Sequence, residues 1–182
     1  MKLPQKLLNL LILIVLAGCT TEPATQQIPT PKKEGITFKN TVVSLTFDDG
    51  DADNYLIRPI PATFYVVSGF TDSDGYMTEE QLRGLYEDGN EIGGHTLSHT
   101  KLTDVRGDEL KKEVCDDRAN LMAYGFEVNS FAFPYGHYDE EARQIVIECG
   151  YSNARTVTDG PDTVPPGDAY ALQAMPYIVS DS

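Results

Sequence analysis

Apolar residues recur along this chain in two alternating rhythms. Short β-branched or aromatic runs read as strands: Thr41–Phe47 (TVVSLTF), Ala62–Val67 (ATFYVV), Glu91–Gly94, Ser130–Phe133 and Ser152–Val157. Longer segments with helical spacing lie between them. Thr78–Asp88 has Thr78 as N-cap, Glu79, Glu80 and Gln81 in its first turn, and Gly89 at its end. Asp108–Tyr124 carries Leu110, Val114, Leu121 and Met122 on one side and closes at Gly125; Asp139–Cys149 closes at Gly150. Alternation of this kind predicts an α/β fold of parallel strands joined by right-handed crossovers. Between Gly50 and Pro61 the chain is too short for a full crossover helix, and Pro59 and Pro61 shorten it further. A stunted first helix is expected there. After a loop at 159–168, Ala169–Ser180 offers one more edge segment. Five strands and one such segment are too few to close a barrel.

Parallel sheets of this type collect their chemistry at the C-terminal ends of the strands. Three separate segments place reactive groups there: Asp48 and Asp49 after the first strand, His95 after the third, and Pro134-Tyr135-Gly136 after the fourth. His95-Thr96-Leu97-Ser98-His99 puts two imidazoles four residues apart, expected on one face of a helical turn. With Asp49 as third ligand they can chelate a divalent metal and leave positions open for water and substrate. The set suits zinc, and also cobalt, nickel, manganese or iron. One carboxylate remains as a base for metal-assisted hydrolysis. Adjacent strand residues point to opposite faces, so Asp48 and Asp49 serve one site only if the strand ends there, which Gly50 permits. Gly93-Gly94 is expected to allow close backbone approach to the site. Each segment alone has a plainer explanation: a chance histidine pair, a turn at Asp-Asp-Gly, a turn at Pro-Tyr-Gly. Their agreement on one face favours a site.

Residues 1–18 carry Lys2 and Lys6 ahead of an apolar run from Leu7 to Leu16, too short to span a bilayer. Leu16-Ala17-Gly18-Cys19 matches the lipoprotein signal-peptidase pattern, which implies cleavage before Cys19, lipidation of that cysteine and attachment to the extracytoplasmic side of a membrane. Residues 19–35 are rich in Thr, Pro and Gln and read as a flexible tether, leaving 36–182 as the folded domain. The formal charge of the 182 residues is −14, and loss of Lys2 and Lys6 takes it to −16. Such a chain repels nucleic acid and anionic polymers and suits a neutral polymer, or one that becomes cationic as product; solubility alone also explains the charge. A monomer is expected. Cys115 and Cys149 are either one disulfide or two buried thiols.

Thr46-Phe47-Asp48-Asp49-Gly50 and His95-Thr96-Leu97-Ser98-His99 resemble the first two motifs of the polysaccharide deacetylases, which share the NodB homology domain. Ala62-Thr63-Phe64 and Glu91-Ile92-Gly93 resemble the family's framework. The resemblance covers about residues 41–180 and implies a distorted, incomplete (β/α) barrel. It implies Asp48 as general base, Asp49, His95 and His99 as ligands of a divalent metal such as zinc, and the Tyr135 backbone N–H as oxyanion donor. Three departures stand out. Ala132 occupies the place of an arginine that steadies the base, so Asp48 is expected to lack its partner. The Asp-Trp motif is not recognisable, and the C-terminal L-x-H motif, whose histidine protonates the leaving amine, is absent. His137 is expected to be a solvated loop residue. The chain therefore reads as a C-terminally truncated copy. The expected activity is removal of acetyl groups from an N-acetylated carbohydrate polymer. The alternatives are a metal-containing saccharide-binding module of impaired turnover and a small-amide hydrolase on the same scaffold.

Overall fold

The computed structural model describes residues 42–175. The expected signal segment, Cys19, the 19–35 tether and the end of the last edge segment lie outside the described residues. Six strands, β1 (Thr46–Phe47), β2 (Thr63–Val66), β3 (Glu91–Gly94), β4 (Ser130–Ala132), β5 (Asn153–Asp159) and β6 (Leu172–Ala174), form one sheet in sequence order. Every pairing is parallel. Each connection therefore advances one strand in a constant direction, which winds the sheet into an incomplete (β/α) barrel.

Helices α1 (Glu79–Glu87), α2 (Gly107–Ala123) and α3 (Glu140–Glu148) occupy three of the connections. Thr78 and Gln81 close a reciprocal capping box on α1, and the Asp139 carboxylate accepts from the Ala142 amide at 2.9 Å to cap α3. Between β1 and β2 there is only a 3₁₀ turn, Ala52–Ile57, in place of a full helix, as the prolines require. The core packs Phe64, Ile92, Phe131 and Ala154 of the sheet against Leu82, Leu85, Leu110, Val114, Leu121 and Val146 of the helices.

Several expectations need correction. Among the described residues the first strand comprises only Thr46–Phe47, and Val43 is 77% exposed. It is an edge strand paired on one side, so the preceding valines have no surface to cover. The inward stripe of α2 is Leu110, Glu113, Val114, Asp117 and Leu121, whereas Met122 is 47% exposed. Met122 stands about 100° around the helix from Leu121, outside that stripe. A Cβ on Gly93 would lie 2.6 Å from the Tyr65 ring, and one on Gly94 2.1 Å from the Tyr151 hydroxyl. These glycines make room for packed tyrosines and do not open the backbone towards the site. Cys115 and Cys149 form a disulfide, joining α2 to the C-terminal cap of α3.

Candidate active site

β1 ends at Phe47, and the chain turns immediately: Asp49 has φ +70° and Gly50 φ +79°. This turn frees Asp48 and Asp49 from the alternation of a regular strand, and both line a cleft of about 930 Å³ with Asp51, Asn54 and Arg155. The His95–His99 segment follows β3 directly. It is not the helical turn expected from its spacing. Thr96 (φ +71°) and His99 (φ +58°) are left-handed, and the amides of Leu97 and Ser98 bond outward to Glu113 of α2 instead of back along their own chain.

The segment nevertheless brings its two imidazoles onto one carboxylate. Nε2 of His95 and Nε2 of His99 lie 3.3 Å and 3.0 Å from Oδ1 of Asp49, and the three ligand atoms are all within 4.8 Å of one another. His95 is 2% exposed, and its Nδ1 lies 2.7 Å from the Ala132 carbonyl oxygen. That acceptor fixes Nδ1 as a protonated nitrogen and leaves Nε2 facing Asp49, as a donor when it carries a proton and as a free lone pair when the ring is neutral. Hydrogen bonding from His95 holds the Asp49 carboxyl below the usual carboxylate value against the opposing effect of burial. Burial, and then His95, lowers the His99 pKa, which favours the neutral imidazole that a metal requires. Two neutral imidazoles and an ionised carboxylate fit a first-row divalent cation.

Asp48 has a partner after all. Arg155 of β5, 8% exposed, donates from Nη2 to Oδ1 of Asp48. Its Nη1 donates to the Thr156 carbonyl at 3.0 Å, and its guanidinium lies 5.1 Å from the Tyr65 ring centroid. The arginine absent at position 132 is thus replaced from a neighbouring strand, while Ala132 contributes its carbonyl to His95. Sequence reasoning missed Arg155 and also Glu113. The available signals were an arginine between Ala154 and Thr156 in a strand and an acid on the apolar stripe of α2.

The turn after β4 completes the surroundings. Tyr135 has φ +60°, and its exposed ring meets the His99 ring edge-on with centroids 4.8 Å apart. The Tyr135 ring, carried on this turn, therefore packs beside His99. His137 is exposed in the loop beyond, as expected.

The sequence of the polysaccharide deacetylase family matches residues 35–154. The chain is 30% identical over 131 residues to the peptidoglycan-N-acetylmuramic acid deacetylase PdaC of Bacillus subtilis, covering 67% of this chain and 27% of that protein. It is 30% identical over 157 residues to chitin deacetylase 1 of Cryptococcus neoformans, covering 81% and 31% respectively. The chain spans less than a third of the length of these two relatives. Among solved structures, the Streptococcus pyogenes deacetylase PplD in complex with acetate superposes with a TM-score of 0.68 at 25% identity, over 72% of this chain and 62% of that one. With the parallel half-barrel and the Asp-His-His cluster at the ends of its strands, a match across most of the folded region leads to one conclusion: the chain belongs to the polysaccharide deacetylase family.

Proposed function

We propose that this protein is an exported, lipid-anchored, metal-dependent hydrolase that removes acetyl groups from an N-acetylated carbohydrate polymer. The observation that carries this reading is the convergence of Asp49, His95 and His99 within 4.8 Å beside Asp48, at a cleft large enough for a sugar unit. The names of the relatives, peptidoglycan and chitin deacetylases, support the substrate class. The Leu16-Ala17-Gly18-Cys19 pattern supports the anchor, and a disulfide suits an oxidising compartment outside the cytoplasm.

Asp49, His95 and His99 would hold the metal, with zinc the best fit among divalent ions. At such a site a bound divalent metal supplies acidification of water and polarisation of the acetyl carbonyl. Asp48 takes the proton from the attacking water. Arg155 occupies Oδ1 of Asp48 and keeps the carboxylate aimed, leaving Oδ2 for that proton. The Tyr135 N–H donates to the oxyanion of the tetrahedral intermediate as the carbonyl oxygen gains charge. Collapse of the intermediate breaks the C–N bond as Asp48 returns its proton to the leaving nitrogen, and releases acetate and a glucosamine-type amine.

The test is acetate release from N-acetylglucosamine oligomers and from peptidoglycan, with zinc, cobalt or a chelator present. Metal-dependent release that disappears in Asp48→Asn is expected. Bound metal without release from any substrate would point to a saccharide-binding module. Release confined to monomeric amides would point to a small-amide hydrolase.

A further inference from the structure

We infer that Glu113, on the inward face of α2, is a positioning residue that sets the second histidine of the metal centre. This inference rests on the metal-binding reading of Asp49, His95 and His99. Glu113 is 9% exposed, and among the described residues no lysine or arginine pairs with it. A carboxylate so nearly buried requires compensation. Here both oxygens are used on a single residue: Oε2 accepts from the Ser98 amide at 3.0 Å, and Oε1 from the Ser98 hydroxyl at 2.7 Å. The main-chain carbonyl of Glu113 accepts from the Leu97 amide at 2.9 Å. One helical residue thus grips two consecutive residues of the ligand loop with three hydrogen bonds.

The gripped residues lie between the two left-handed residues of the loop, Thr96 and His99. Backbone in this region persists only when its surroundings over-determine it. The two histidines also differ in how they are held. His95 is buried, starts from a paired strand and is fixed through its ring by the Ala132 carbonyl. His99 has a side chain 23% exposed and depends on the backbone that enters it from Ser98. Loss of Glu113 therefore leaves His95 and Asp49 in place and releases His99.

The test compares wild type with Glu113→Gln, Glu113→Ala and Ser98→Ala, the last removing only the hydroxyl arm and sparing the fold. Zinc affinity is measured by competition with a chromophoric chelator, the visible spectrum is recorded with cobalt in the site, and thermal stability is followed without metal. Glu113→Ala is expected to weaken zinc binding about 10- to 100-fold and to alter the cobalt bands. Ser98→Ala should weaken binding less, and Glu113→Gln, which keeps one acceptor oxygen, should fall between wild type and Glu113→Ala. Unchanged zinc affinity and cobalt spectrum in folded Glu113→Gln and Ser98→Ala would overturn the assignment, even with a lowered melting temperature, because a purely structural residue would behave that way. Failure of wild-type protein itself to bind zinc or cobalt would instead remove the metal-binding reading, and this inference with it.

Discussion

Arg155 reaches Asp48 although 107 residues and four strand positions separate them. In a flat sheet, β1 and β5 would lie roughly 19 Å apart at about 4.8 Å per strand. Their contact is made by the curl of the sheet. The arginine that steadies the base therefore comes from the far side of the half-barrel.

Replacing Arg155 by Lys keeps a positive charge but loses the planar fork shared between Asp48 and the Thr156 carbonyl. The expected result is a fall in kcat of about 10- to 100-fold, part of what general-base catalysis contributes. Zinc content should stay the same. In an Asp48→Asn background the same replacement should cost nothing further, since the group it orients is already disabled. Additive losses in steady-state kinetics would show that Arg155 acts through something other than Asp48.

Asp48 and its neighbour should separate cleanly. Asp49→Ala and His95→Ala each remove a ligand atom from the cluster and should abolish stoichiometric zinc binding. Asp48→Asn should retain the metal and lose turnover by about 100-fold or more. Zinc content by atomic absorption beside acetate release gives both readouts; wild-type zinc affinity in the His95 variant would break the ligand assignment.

Asp117, one turn beyond Glu113 on α2, makes stability depend on pH. It is fully buried, accepts from the Ser68 amide at 3.1 Å and meets the Tyr151 hydroxyl at 3.3 Å. Burial raises its carboxyl from 3.8 to about 7. The folded state therefore favours the protonated acid, whereas the unfolded chain ionises near pH 4. The stability tied to that proton is complete below about pH 4, declines as pH rises and is gone above about pH 7. Asp117→Asn mimics the protonated acid at every pH. Urea unfolding in the presence of a chelator should show the variant matching wild type near pH 4 and exceeding it at pH 8 by a few kcal/mol. Parallel pH profiles for the two proteins would refute a neutral Asp117.

The Cys115–Cys149 bridge closes a loop with a sequence separation of 34. Chain-entropy reasoning gives a contribution of roughly 3–4 kcal/mol for a loop of this size. Reduction, or the double replacement by Ser, should lower the urea midpoint accordingly without changing the zinc stoichiometry. An unchanged midpoint would mean that the reduced chain is already as constrained as the oxidised one.

How far the sequence could be read depended on how local each signal was. The Thr78–Gln81 capping box, the buried β2 run and the prolines that shorten the first crossover act over a few residues and are visible as patterns. Asp49, His95 and His99 stood out because few residue types hold a metal and all three follow strands. Arg155 did not, because its significance lies in a pairing that only the curled sheet creates. Glu113 and Asp117 fall at spacings of three and seven from Leu110, on the apolar stripe, and helical periodicity could have marked them as buried acids. Met122 was misplaced because the step of about 100° from Leu121, which lies within the stripe, carries it past the edge. The left-handed turns at Thr96 and His99 are imposed by α2, and nothing in the five-residue motif records them.

The two-residue length of β1 has its own consequence. Both carboxylates sit just beyond the shortest strand of the sheet, at its edge, while His95 follows an interior strand paired on both sides. Edge segments with so few ladder bonds exchange their amide hydrogens through local fraying, well before the whole molecule opens. An ion shared between Asp49 and the histidines would stitch that edge to the interior, and its binding energy would appear as slowed exchange around residues 46–50. Removing the ion should loosen this margin first and leave the helices protected, so the base would lose its alignment in a protein that is otherwise still folded.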